Sequence, residues 1–424
     1  MPNAFFGLRA SDDFTVTGQR PENWREMMLF LYPNGDLPLT ALMSKLKNSS
    51  TDDAHFHWYT KSLPHQTAAL LSDGVYTDTA LTTAYASGGD IGDVVYLSIA
   101  PADFAQFRVG HQIALRDTDD SKIALTGRIT EKTATYLTVE LLEKDSATSP
   151  AATADYVMII GNGNAEGAII PDAISYDPVE HSNLTQIFRT PLDITRTAKK
   201  TRLRTGDAYK EAKRECLEMH GIEMEKAFLW GQQASVTGTN GKPERYTKGL
   251  VNSIKEGSGN VSSYKADTDF TGKTWLQGGE DWIDKWLEQI FRHGSDTRMG
   301  FIGSGALLAI NKLIKDRGHF EFSEKTYAYG IKAFEWVTPF GTLIMKRHPL
   351  FSYEPADRFS LVIFEPTDLE YRYIDDTTFY ADGEKQNTGH GHYDGTKEEY
   401  LTEAGLEYHF PIKCGYLTTI GSNA

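Results

Sequence analysis

Residues 205–230 read TGDAYKEAKRECLEMHGIEMEKAFLW, the longest helical pattern in the chain. Ala208, Ala212, Cys216 and Met219 fall on one stripe, and Leu217, Met224 and Phe228 widen it. The polar positions carry charges at compatible spacing: Glu211 with Arg214, Arg214 with Glu218, and Glu223 with Lys226. Gly231 stands where a C-terminal cap belongs. About seven turns at roughly 1.5 Å per residue make a rod on the order of 40 Å, long enough to be the backbone of an elongated subunit.

Toward the C-terminus, a Gly- and Ser-rich stretch over 238–263 holds the hairpin-like pair Asn240-Gly241. Residues 280–293 predict a strongly amphipathic helix, because Trp282, Ile283, Trp286, Leu287, Ile290 and Phe291 recur at three- and four-residue steps before Gly294. Ser304 caps a further helix containing Leu307, Leu308, Ile310, Leu313 and Ile314, and strand-like segments at 299–302, 343–346 and 359–364 surround these helices. That is an α+β lobe. Alternation over 399–420 predicts a long strand pair rejoining an earlier sheet.

Toward the N-terminus the texture over 92–160 changes to period two. Ile113 and Leu115, then Ile123, Leu125 and, after a slip, Ile129, then Leu137, Val139 and Leu141 read as half-buried antiparallel strands. The turn at 117–120 and the polar stretch 144–154 separate them. They predict a small β-barrel or sandwich inserted in an excursion over 55–180. Residues 1–54, with helix candidates at 24–32 and 38–46, read as an arm without a core of its own.

Composition bounds the function. At 424 residues, with 40% hydrophobic and 24% charged residues, the chain is an ordinary globular protein of two or three lobes. A formal charge of −15 argues against a dedicated nucleic-acid binder, which needs clustered Lys and Arg to displace counterions. Only Cys216 and Cys414 are present, so no disulfide framework is expected. Residues 1–14 lack a secretory pattern, and the longest apolar runs, such as 156–160, are too short to span a bilayer.

Catalytic and ligand motifs are weak throughout. Phe270-Thr271-Gly272-Lys273-Thr274 ends like a phosphate-binding loop, but Asp267 occupies the first glycine position, where a carboxylate repels phosphate. Gly303-Ser304-Gly305 has Leu308 in place of the third glycine of a dinucleotide loop. The pairs His55/His57 and His390/His392 lack a Cys partner or an HExxH frame. His65, Ser72 and Asp73 lack a nucleophile elbow. Trp282 and Trp286 lie at helical spacing and read as core. No catalytic residue, metal or cofactor is expected.

A family is visible in the order of several short motifs. Ala165-Glu166-Gly167-Ala168 precedes Asn183-Leu184-Thr185-Gln186-Ile187-Phe188 and then the long helix. Phe107-Arg108-Val109-Gly110-His111-Gln112-Ile113 is similar to a V-G-D-x-I turn, with His111 replacing the acid. The run 303–313, Gly341-Thr342-Leu343, and Leu401-Thr402-Glu403 with Leu406-Glu407 complete the pattern. Over about 36–420 the chain resembles the major head proteins of tailed bacteriophages.

The resemblance implies an α+β Hong Kong 97-type capsid fold with a long spine helix, an axial lobe, an extended loop and an inserted β domain. On that plan 1–54 is the N-terminal arm, 55–180 the extended loop with its insert at about 92–160, and 181–269 the peripheral domain with its spine helix 205–230. The axial domain covers 270–365, and 366–424 supplies return strands. It implies self-assembly into hexamers and pentamers of an icosahedral head, with a portal and scaffolding or decoration proteins as partners. Double-stranded DNA would be enclosed without specific binding, no membrane would be involved, and assembly would take place in the host cytoplasm. The loop bases, 55–63 and 168–177, are expected to pair as a ribbon lying on the next subunit. Phe56, Trp58, Lys61 and Ile170 would make contacts there, and Glu211, Arg214 and Glu218 would do so on the spine helix. A protein nanocompartment shell on the same fold, a hydrolase and a tail or attachment protein are the alternatives.

Overall fold

In a computed structural model of the chain, the described residues are 37–43, 47–61, 65–118, 123–145, 154–201, 207–257, 260–317, 323–326, 332–381 and 395–423. They form a mixed helix and strand fold divided between two compact units, one spanning 1–58 and 181–424, the other 59–180. The helix candidate at 24–32 lies outside the described residues, whereas Pro38–Met43 is a short helix.

The long helix of the first unit runs Ala208–Trp230. It starts at Ala208 and not at 205, because the Asp207 side chain accepts from Tyr209 N at 3.0 Å and caps the first turn. Its 23 residues make a rod of about 35 Å. The buried stripe also differs from the apolar one. Cys216, His220, Met224 and Phe228 are buried at four-residue steps, with Glu225 and Leu229 beside them, while Leu217 and Met219 are 44% and 56% exposed. Two polar residues with partners in the core have displaced two apolar ones to the surface.

A four-stranded sheet packs against this helix. Asn48–Ser50 pairs in parallel with Leu369–Tyr380, which pairs antiparallel with Gly395–Tyr408, which in turn pairs with Gln186–Thr195. The expected strand pair over 399–420 does not form. Gly395–Tyr408 belongs to this sheet, whereas Gly415–Thr418 joins a seven-stranded sheet, and the turn Pro411–Lys413 lies between them.

The order of that larger sheet is Val261–Ser263, Gly415–Thr418, Leu361–Phe364, Thr297–Ile302, Gly341–Arg347, Lys332–Thr338 and Ser323–Thr326. The interior strand Leu361–Phe364 shows why the unit needs two cores. Leu361 and Ile363 face Trp282, Leu287, Ile290 and Ile310 of the helices Trp275–Phe291 and Ser304–Arg317. Val362 and Phe364 point the other way, into a core shared with Phe228, Leu250, Val251 and Ile254. Successive strand side chains alternate faces, so an all-apolar strand reads as buried on both. The first of these helices begins at Trp275, earlier than 280, because Thr274 and Gln277 form a capping box. In the Gly-rich stretch, the hairpin Ala234–Thr237/Pro243–Tyr246 is followed by a helix, Leu250–Gly257, absent from the sequence reading.

Six strands of the second unit close a barrel in the order Thr67–Tyr76, Val94–Ile99, Leu137–Leu141, Ile123–Lys132, His111–Arg116 and Tyr156–Asn162. Ile113, Leu115, Leu125, Ile129, Leu137, Val139 and Leu141 fill it. The slip read between Leu125 and Ile129 is not one. Gly127 occupies the intervening inward position, where an added Cβ would lie 2.3 Å from Val139 Cγ1. The turn at 119–120 and the stretch 146–153 lie outside the described residues.

Candidate functional site

The strand His55–Thr60 pairs with Val179–Leu184, and no strand forms over 168–177, so the second arm of the ribbon lies later than expected. Alternation along His55–Thr60 turns Phe56 and Trp58 inward and His55, His57 and Tyr59 outward. Phe56 and Trp58 stack at 6.0 Å, and Trp58 meets His181 at 5.9 Å and Tyr408 edge-on at 5.5 Å. Both belong to a core of the chain itself. Lys61 is exposed, and Ile169 and Ile170 are 93% and 91% exposed.

On the long helix, Arg214 Nε lies 3.6 Å from Glu218, one turn on, while Glu211 is half-buried. An exposed pair of this kind contributes under about 1 kcal/mol. Lys226 Nζ pairs at 3.9 Å with Glu354.

Sequence reasoning missed the buried polar residues of this helix. Glu225 is fully buried and accepts from Leu39 N at 2.8 Å, Thr40 N at 2.7 Å, the Thr40 hydroxyl and His348 Nε2 at 2.9 Å. One turn earlier, Gly221 leaves room for Leu37, whose Cδ1 would sit 2.7 Å from an added Cβ. Helix 208–230 thus offers a socket into which Leu39, Leu42 and Met43 also bury. The available signal was a glycine four residues before a carboxylate on an otherwise apolar face.

His220 lies between two hydroxyls. Thr190 Oγ1 donates to Glu223 at 3.2 Å, so it accepts from His220 Nδ1 at 2.9 Å, and His220 Nε2 accepts from Thr402 at 2.8 Å. Burial holds the imidazole below its ordinary pKa, in keeping with this neutral tautomer.

Two groups of ion pairs stand at the sheets, the first about the connections after Leu361–Phe364 and Gly395–Tyr408, the second within the four-stranded sheet. Arg298 and Lys413 flank Glu365 at 3.2 and 3.3 Å, and Lys413 reaches Asp368 at 2.9 Å. Lys47 meets Glu370 at 2.8 Å, and Arg372 meets Glu407 at 2.5 Å. Burial pushes the Glu370 and Glu407 carboxyls up, but the hydrogen bonds from Lys47 and Ser49 to the first and from His409 and Arg372 to the second, with the Arg372 charge, outweigh it and hold both below the usual range. At Asp368 burial wins over Lys413 and the pKa is raised.

Among the described residues no three His, Cys, Asp or Glu side chains converge as metal ligands. His390 and His392, and the side chains of Ser72 and Asp73, lie outside what is described. Asp267 accepts from Trp282 Nε1 at 3.1 Å and pairs with Lys285, a packing role, and Lys273 Nζ lies 5.0 Å over the Phe270 ring. Cys216 and Cys414 are buried free thiols, both raised in pKa by burial. No helix among the described residues is long and apolar enough to cross a membrane.

In the second unit, the turn 107–110 and the segment 163–175 border a groove of about 680 Å³. Gly110, at φ +88°, makes the turn, and its N–H donates to Ile129 O at 2.9 Å. Arg108 and Lys132 line the groove.

Residues 10–421 match the family described as SU10 major capsid protein. The major capsid protein of Pseudomonas phage PaMx41 is 25% identical over 405 residues, covering 91% of this chain and 89% of that protein. Among solved structures, that of Mycobacterium phage Bobi aligns with a TM-score of 0.45 at 8% identity, over 98% of this chain and 95% of the other. The capsid of Myoviridae phage XM1 aligns at 0.43 and 10% identity, over 97% and 99%.

Proposed function

This chain belongs to the SU10 major capsid protein family, and from that premise we propose how it builds a phage head. As a member it is a phage major capsid protein, a structural component of the virion capsid and not an enzyme, and its copies assemble into the capsid lattice.

The reading has the Hong Kong 97-type plan. Helix 208–230 is the spine, the seven-stranded sheet with helices 275–291 and 304–317 is the axial domain, residues 1–54 are the arm, and 55–180 are the extended loop carrying the barrel. Hexamers and pentamers of such subunits close an icosahedral head around double-stranded DNA. Assembly takes place in the host cytoplasm, with a portal and scaffolding or decoration proteins. The observation that carries this reading is the end-to-end family match, combined with a barrel inserted through one paired ribbon, His55–Thr60 with Val179–Leu184.

Contacts between copies fall on side chains left outside the cores: Lys61 and Ile170 in the loop, Glu211, Arg214 and Glu218 on the spine. Phe56 and Trp58 set the ribbon from within. A lattice needs many fixed contacts of modest individual strength, because assembly must correct errors while the closed shell sums them.

Electron microscopy of the purified, concentrated chain is expected to show closed shells. Deleting 62–167 should leave a folded protein that no longer forms them, and normal shells from the deletion would refute the loop assignment. The net charge of −15 implies no tight duplex binding by the isolated subunit. A fluorescence titration giving submicromolar affinity at physiological salt contradicts that part of the reading.

A further inference from the structure

The groove of the second unit holds two cations that form no ion pair with a carboxylate among the described residues. Arg108 donates through Nη1 to the main-chain oxygen of Asp172 at 3.1 Å, and Lys132 donates through Nζ to that of Phe107 at 2.8 Å. Carbonyl acceptors satisfy a donor but leave its charge uncompensated. Among the described residues neither side chain has an ion-pair partner, and Arg108 Nε is shut from solvent with no acceptor. The lining carries Arg108 and Lys132 against one acidic residue, Asp172, and Glu166 stands exposed in the bordering segment.

The third ionisable side chain of the turn adds no negative charge either. His111 Nδ1 faces Arg108 N at 3.4 Å. Burial first, then the charges of Arg108 and Lys132, hold this imidazole below its ordinary pKa.

Apolar side chains stand next to these charges. Val109 on the lining is 52% exposed, and Ile169 and Ile170 in the bordering segment are almost wholly so. A surface that covered them would exclude water and strengthen any ion pair formed with Arg108 or Lys132. The chemistry such a surface needs is carboxylate, and this chain carries 58 acidic residues against 43 basic ones.

Taking the chain as a shell subunit, as argued above, we infer that the groove takes carboxylate side chains of a second copy, with Arg108 and Lys132 forming intermolecular ion pairs in the lattice. Arg108 supplies a planar fork suited to two carboxylate oxygens, and Lys132 a point charge beside it. The barrel is then a charge-reading contact as well as a spacer in the loop.

The test uses shells assembled from an equal mixture of unlabelled and heavy-nitrogen-labelled full-length chains. Treatment with a zero-length carbodiimide, which joins an amine to a carboxylate with loss of water, is followed by mass spectrometry of the Lys132 peptide. The expected product joins Lys132 to an acidic residue of the oppositely labelled chain, in shells and not in unassembled subunits. Lys132 left unlinked in shells, linked only within its own chain, or linked to another polypeptide overturns the inference. Independently, the R108Q/K132Q double variant, checked for folding by circular dichroism, should need on the order of tenfold more protein to form shells. Shells at the wild-type concentration overturn it as well. Failure of the wild-type chain to form any shell overturns the subunit reading first and this inference with it, whereas normal shells with an unlinked Lys132 remove the inference alone.

Discussion

Glu225 and His220, five residues apart on one helix, show what a polar side chain does inside this core. Removing the Glu225 carboxylate leaves Leu39 N, Thr40 N and His348 Nε2 without their acceptor in a site closed to water. An unsatisfied buried donor costs about 1–3 kcal/mol, so E225A is expected to lose at least ~3 kcal/mol in urea unfolding. A loss below 1 kcal/mol would mean that the segment 37–43 does not depend on this socket. His220 makes the opposite kind of prediction, one in pH. Its folded pKa is depressed by burial, so on acidification the unfolded chain takes up the proton first. Its contribution to stability is therefore whole above the ordinary histidine pKa of about 6.5 and declines as pH falls from there toward the folded value. H220Q should flatten the fall in urea midpoint between pH 7.5 and 5.5 relative to wild type. An unchanged slope would show that the ring is not held neutral by its hydroxyl neighbours.

Elements divide by whether their order is local or paired at a distance. Gly127 gives a local test, since an added Cβ meets Val139 Cγ1 at 2.3 Å. Overfilling a packed interior costs about 1–3 kcal/mol, so G127A should lower the barrel's thermal midpoint, and G127A/V139A should recover part of the loss. Additive losses in the double variant would place the strain elsewhere. The same contrast explains what could be read from the chain. Helices 275–291 and 304–317 and the strands holding Ile113, Leu115, Leu137 and Val139 carry one periodicity each, set by neighbours in sequence, and they were legible. The pairing of His55–Thr60 with Val179–Leu184 was displaced by some ten residues in the reading, because alternation says which face a strand buries and not which strand it joins. For the same reason 395–408 and 415–418 looked like one hairpin while serving two sheets. Of the candidate contact residues, Lys61, Ile170 and Arg214 lie outside the cores. Phe56 and Trp58 do not, since an apolar side chain on a ribbon looks alike whether its own chain or a neighbour covers it. The core roles of Glu225 and His220 were hidden because their partners lie some 30 to 186 residues away.

At the scale of the whole molecule, the cores do not mix. The residues filling the barrel all come from between Ala68 and Ile159, and every residue of the other three clusters comes from 1–58 or 181–424. Cooperative unfolding follows from shared packing, so two sets of side chains with no member in common are expected to melt as two units, even along one chain. Scanning calorimetry of the unassembled subunit should therefore resolve two transitions. Deleting 62–167 should abolish one of them and leave the other near its original temperature, while residues 59–180 expressed alone should reproduce the missing one. The G127A change should move only the barrel transition, and E225A only the other. A single transition in the full chain, shifted as a whole by either substitution, would mean that the ribbon transmits folding free energy between the units. The loop would then not be a separable insertion, and its deletion could not distinguish a failure of assembly from a failure to fold.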